Sequence, residues 1–103
     1  MVDEEKDPAI LKVNGSRGKD VDKEYVKKLA NAILQTFSKH KVARLKCVGA
    51  AAINNADKAV IIASGEASKK GIEFVEKKSF TIAYFGDHGE IEKTGILKEI
   101  VER

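Results

Sequence analysis

The chain has 103 residues, 43% of them hydrophobic and 34% charged, with a net charge of +3. This composition excludes a disordered chain, and the length suits one domain burying roughly two-thirds of its unfolded surface. No apolar run approaches the ~20 residues of a membrane helix, and the acidic start "MVDEEKDP" lacks the pattern of a secretion signal. Cys47 is the only cysteine, so an internal disulfide is excluded and a reducing, cytoplasmic setting with no membrane attachment is expected.

Residues 1–8 read as a charged flexible tail ahead of a single domain over residues 9–103. "AILKV" (9–13) has the look of a short strand, and "NGSRGKD" (14–20) that of a loop. The spacing of Val26, Leu29, Ile33 and Phe37, with Ala30 and Leu34 alongside, predicts an amphipathic helix from about 21 to 40. Asp20 or Asp22 can cap its start, and Lys39, His40 and Lys41 suit the dipole at its end. "VARLKCVG" (42–49) alternates: Ala43, Leu45 and Cys47 point one way, Arg44 and Lys46 the other, as in a half-buried strand.

A second helix is expected over about 51–64, closed by Gly65 as a left-handed cap. Ile53, Ala56, Val60 and Ala63 share a face for the sheet. The small side chains of Ala51, Ala52, Ala56, Ala59 and Ala63 permit close approach, whether of helix to sheet or of two copies of the chain. "IEFVEKKSFTIAYF" (72–85) reads as a strand with a bulge or kink at residues 76–78. "GDHG" (86–89) reads as a hairpin turn. The final run, ending "ILKEIVER", has apolar spacing that also fits a helix, but the turn before it makes a returning strand the better reading. The order β-α-β-α-β-β predicts an α/β domain of two layers (α+β), with two helices on one face of a four-stranded mixed sheet.

No catalytic constellation stands out. Cys47 lies on the apolar side of its strand, where a cysteine is usually a small hydrophobe. His88, with Asp87 and Glu90 nearby, lacks a second His or Cys for a metal. "NGSRGK" lacks the spacing of a phosphate-binding P-loop. Neither an enzyme nor a cofactor nor a metal site is expected. The charge is uneven, however: residues 9–71 carry thirteen basic against five acidic residues, while both flanks are net acidic. Such asymmetry favours a polyanionic partner.

Nucleic acid is the leading candidate. Lys12, Arg17, Lys19, Arg44, Lys46 and Lys58 would contact phosphates. Asn54 and Asn55, at the first turns of the second helix, would hydrogen-bond to backbone or base, where exposed amide N–H groups favour anions. With 6% aromatics and no Trp, base stacking is poorly supported, which favours phosphate contacts to a duplex or structured RNA. The alternatives are a protein-interaction module built on the small-residue helix and a sheet edge, and a small-ligand binder using Asn54, Asn55 and the glycine loop.

Several stretches resemble the stage V sporulation protein S family: "LKV" (11–13), "GAAAINNADKAVIIASG" (49–65), "FT" (80–81), a Gly-Glu turn (89–90) and "IVE" (100–102). The resemblance covers nearly the whole chain after residue 8. The family's central motif, roughly Gly-Ala-Gly-Ala-Leu-Asn-Gln-Ala-Val-Lys-Ala, falls on residues 49–59. There this chain has Ala51 for Gly, Asn55 for Gln and Asp57 for Val, and Asp57 places an acid beside the proposed binding face. The resemblance implies an Alba-like fold, a nucleic-acid-binding or regulatory role in development, and pairing into a homodimer or higher homo-oligomer. Alba chromatin proteins are a more distant comparison. Arg17 and Lys19 match the lysines of their first loop, but Gly49 and alanines stand where they carry basic residues, so compaction of DNA is not implied.

Overall fold

Apolar periodicity sets the elements, and they follow in the expected order. A computed structural model describes residues 7–16 and 18–103, apart from the side chain of Lys19, so most of the expected tail and Arg17 lie outside the described residues. The elements are β1 (Ile10–Val13), α1 (Lys19–His40), β2 (Ala43–Cys47), α2 (Ala50–Ser68), β3 (Phe74–Phe85) and β4 (Ile91–Glu102). The strands lie in the order β1-β2-β4-β3. β1 and β2 are parallel, and the other neighbours are antiparallel. This is the mixed four-stranded sheet read from the sequence.

The alternation in β2 decides which face is buried. Ala43, Leu45 and Cys47 are fully buried, and with Val13 and Ile100 they meet both helices in one core. α1 contributes Val26, Leu29, Ala30 and Ile33, while α2 contributes Ala52, Ala56, Ala59 and Ala63. Small side chains let α2 seat tightly against α1 and the sheet. Ala52, Ala56, Ala59 and Ala63 therefore lie inside the chain's own core, while Ala51 is exposed at the start of α2.

Several boundaries differ from expectation for physical reasons. α2 does not stop at Gly65 but runs on to Ser68, because buried Ala67 continues its apolar face and Ser68 Oγ donates to the Gly65 carbonyl at 2.9 Å. The left-handed glycine after it is Gly71, at φ 79°. α1 follows Gly18 (φ 110°) without a side-chain cap. Asp20 and Asp22 sit in its first turn, where Asp22 accepts from Ser16 Oγ at 2.6 Å. No bulge interrupts β3. Its pairing with β4 is continuous from Phe74↔Glu102 to Phe85↔Ile91, because Glu76 turns to the helix side and meets Lys98. The hairpin turn spans residues 86–90, one residue wider than read. β4 is a strand, its helix-like spacing overridden by cross-strand pairing along its whole length.

Two features fix how the β3–β4 hairpin sits on the rest. Lys98 of β4 faces the helices with its side chain 1% exposed, and its Nζ donates to the Asp57 carboxylate and to Glu76 Oε1 at 3.2 Å. Gly95 lies where a Cβ would stand 2.5 Å from the Cys47 carbonyl oxygen and 3.0 Å from Val48 Cγ2. Only a glycine lets the hairpin cross so close to the end of β2.

Candidate functional site

The parallel register places Lys12 directly beside Lys46. Both lie on the sheet face away from the helices, since Val13, Leu45 and Cys47 take the core face. These two lysines line a cleft of about 350 Å³ between the ends of β1 and β2 and the β3–β4 hairpin. Val48, Ala83, Tyr84 and Phe85 form its other side.

A second groove, of about 670 Å³, runs between the first turns of α1 and the outer side of α2. Val26, Ile61 and Ile62 supply apolar surface; Lys23, Lys27, Asn54 and Lys58 line it with Asp20 and Asp22. Asn14, which lines the first cleft, is bonded to Asn55, which lines the second. Its carbonyl accepts from Asn55 Nδ2 at 3.2 Å, and its N–H donates to the Tyr25 hydroxyl at 2.9 Å. Both helices thereby pin the loop that follows β1.

The sequence-selected residues divide among these places. Lys12 and Lys46 come together in the first cleft, and Asn54 and Lys58 share the second. Asn55 also borders the second groove, but it is 3% exposed and its Nδ2 donates to the Asn14 carbonyl, so it acts first as a strut within the chain. Its adjacency to Asn54 misled, because a helix turns about 100° between neighbours and hides one of them. Arg44 lies on the same sheet face as Lys46, but its guanidinium is held by Asp7 at 3.0 Å and Glu99 at 2.9 Å. Two carboxylates around one guanidinium leave that spot without a positive surplus. Asp7, placed in the tail by the sequence, is thus fixed on the sheet; its other oxygen accepts from the Ala9 N–H at 2.8 Å. Lys19 opens α1, while its side chain and all of Arg17 fall outside the described residues.

Asp57 also has another role than expected. The sequence motif places it as an acid beside the binding face, but its carboxylate holds buried Lys98. Burial pulls the Lys98 ammonium downward; the hydrogen bonds and charges of Asp57 and Glu76 outweigh it and raise its pKa above the ordinary lysine value. Burial also pushes the nearby Cys47 thiol up to about 11, helped by the charges of Asp57 and Glu76 and opposed by Lys98. At neutral pH that thiol stays protonated and is a poor nucleophile. Among the described residues, no group of three or more His, Cys, Asp or Glu could hold a metal ion. No described helix is long and apolar enough to cross a membrane.

Sequence reasoning missed Lys23 and Lys27, whose i,i+4 spacing beside Val26 was the available signal. It also missed Tyr84 and Phe85, since nothing local says that a hairpin returns toward β1.

Fold and clefts define a small α+β domain with lysines gathered in two clefts around one loop. The chain belongs to the stage V sporulation protein S (SpoVS) family, whose sequence profile matches residues 20–103. The match makes it a small sporulation-related protein, and it takes in every element after β1. No curated protein matches the chain.

Proposed function

We propose that this chain is a non-catalytic regulatory protein that binds nucleic acid by its phosphate backbone. The observation that carries the reading is the pairing of Lys12 with Lys46 in a cleft walled by the hairpin. Two lysines at paired positions on adjacent strands put two phosphate-binding side chains on one wall of the cleft. Lys23, Lys27 and Lys58, across the Asn14 loop, extend the positive surface so that a polyanion longer than one phosphate can be followed. The reading includes a homodimer joined along β3, an outer strand of the sheet that presents Phe80 at 81% exposure and Ile82 at 43%.

Fluorescence anisotropy with a labelled oligonucleotide at low salt tests the first part. Changing Lys12 and Lys46 together to Ala is expected to weaken binding at least tenfold, while Lys39→Ala, at the far end of α1, leaves it within twofold. Equal losses from both would mean general charge attraction with no site. Preference for an acidic peptide over any nucleic acid would transfer the function to protein interaction. For the dimer, light scattering at high concentration should give twice the 11.3 kDa chain mass, and a monomer at every concentration overturns it.

A further inference from the structure

The composition argues against base stacking, yet the fold brings an aromatic ring to the paired lysines. Along the hairpin, Ala83 and Phe85 pair with Lys93 and Ile91, on the sheet face that carries Lys12 and Lys46. Ala83 is 9% exposed, so the hairpin is held against the end of the sheet there, but Phe85 beyond it is 43% exposed and Tyr84 is 64% exposed. The Lys93 ammonium lies 5.3 Å from the Phe85 ring centroid, which adds a third positive charge at this wall. The cleft, at about 350 Å³, falls at the lower end of the roughly 300–1,000 Å³ typical of ligand sites.

We infer that this cleft takes an unpaired nucleotide of a single-stranded nucleic acid, with its phosphate at Lys12 and Lys46 and its base stacked on Phe85. The inference rests on the phosphate-binding reading and adds to it a preference for single strands. A duplex can offer phosphates to the two lysines, but its bases are stacked in the helix and cannot reach a ring in the cleft. An exposed apolar ring between cations has complementary chemistry for a nucleotide, because a base offers a π-face and its phosphate a charge. An acidic peptide offers only the charge. Gly95 lets the hairpin that carries Phe85 cross close over Cys47 and Val48, at the end of the strand that carries Lys46.

The test compares three probes of equal length against the full chain at one low salt concentration: a single strand, its duplex, and a single strand of abasic sugar-phosphate. The wild-type chain is expected to bind the base-bearing strand roughly ten- to hundredfold more tightly than the abasic one. Phe85→Leu, which keeps an apolar side chain at the hairpin, should abolish that difference while leaving duplex and abasic affinities within twofold. Equal wild-type affinity for base-bearing and abasic strands overturns the stacking site and leaves the phosphate-binding reading standing; the abasic comparison needs no variant to fold. Equal loss on all three probes from Phe85→Leu also overturns it. Failure of all three probes to bind removes the underlying reading as well.

Discussion

Replacing Asp57 by Val restores the residue usual in the family motif, and from the sequence alone it should improve phosphate binding by removing an acid. From the structure it should chiefly cost stability. Asp57 and Glu76 are the two carboxylates on the Lys98 ammonium, whose side chain is 1% exposed. Removing one partner of a fully buried pair costs about 3–5 kcal/mol. Here the Asp57 side chain is 49% exposed and Glu76 remains, so water and one carboxylate recover part of that loss. About 1–3 kcal/mol is the expected cost, a shift of roughly 1 M in the urea midpoint at a typical slope. Lys98→Met removes the buried charge itself, and such swaps lie near neutral or are stabilising. In the Asp57→Val/Lys98→Met double variant, most of the Asp57→Val loss should therefore disappear. Urea unfolding followed by circular dichroism gives all four corners of the cycle. An unchanged midpoint for Asp57→Val, or strictly additive losses in the double variant, would refute the assignment.

Alkaline pH should weaken the fold in a defined window. The Cys47 thiol goes from 9.0 to about 11 on folding, so the unfolded chain loses its proton first. Stability is full below pH 9 and falls as pH rises toward 11, by up to about 2–3 kcal/mol. Lys98, whose pKa is also raised above its ordinary 10.5, adds a loss beginning above that value. Cys47→Ala should flatten the decline between pH 9 and 10, read as the urea midpoint against pH. Gly95→Ala would place a Cβ 2.5 Å from the Cys47 carbonyl. It should cost about 1–3 kcal/mol by crowding and displace the hairpin, seen as shifted amide resonances at Val48 and Phe85. Asn55→Ala leaves the Asn14 carbonyl without its 3.2 Å donor. It should cost about 1–3 kcal/mol and speed amide exchange in the loop after β1.

How much of this was legible depends on how local each cause is. α1 and β2 follow from spacing within their own residues: Val26, Leu29, Ile33 and Phe37 can only share a face on a helix, and "ARLKC" only alternates on a strand. The element order and the mixed four-stranded sheet also followed, because short connections and the turn at residues 86–90 restrict the alternatives; the lateral order of the strands did not. What sequence could not supply was partnership across the fold. Glu76 suggested a bulge because its partner, Lys98, sits 22 positions away in a run that also reads as helix. Arg44 looked available because Asp7 and Glu99 reach it only once β1 and β4 flank β2. Asn54 and Asn55 are chemically almost alike, and only the seating of α2 decides that one faces solvent and the other the Asn14 loop. For the clefts, Lys12 and Lys46 were both selected, but their adjacency depends on the parallel register.

The most direct measurement of phosphate binding is its salt dependence. Affinity for a labelled single strand would be measured across a range of salt concentrations for the wild-type chain and for the Lys12→Ala/Lys46→Ala variant. Each phosphate neutralised on a single strand contributes about 0.7 to the slope of log affinity against log salt. Loss of two contacts should therefore make the slope shallower by about 1.4, with Lys39→Ala leaving it unchanged. A slope unaltered by the double change, or no binding even at low salt, would contradict a phosphate site at Lys12 and Lys46.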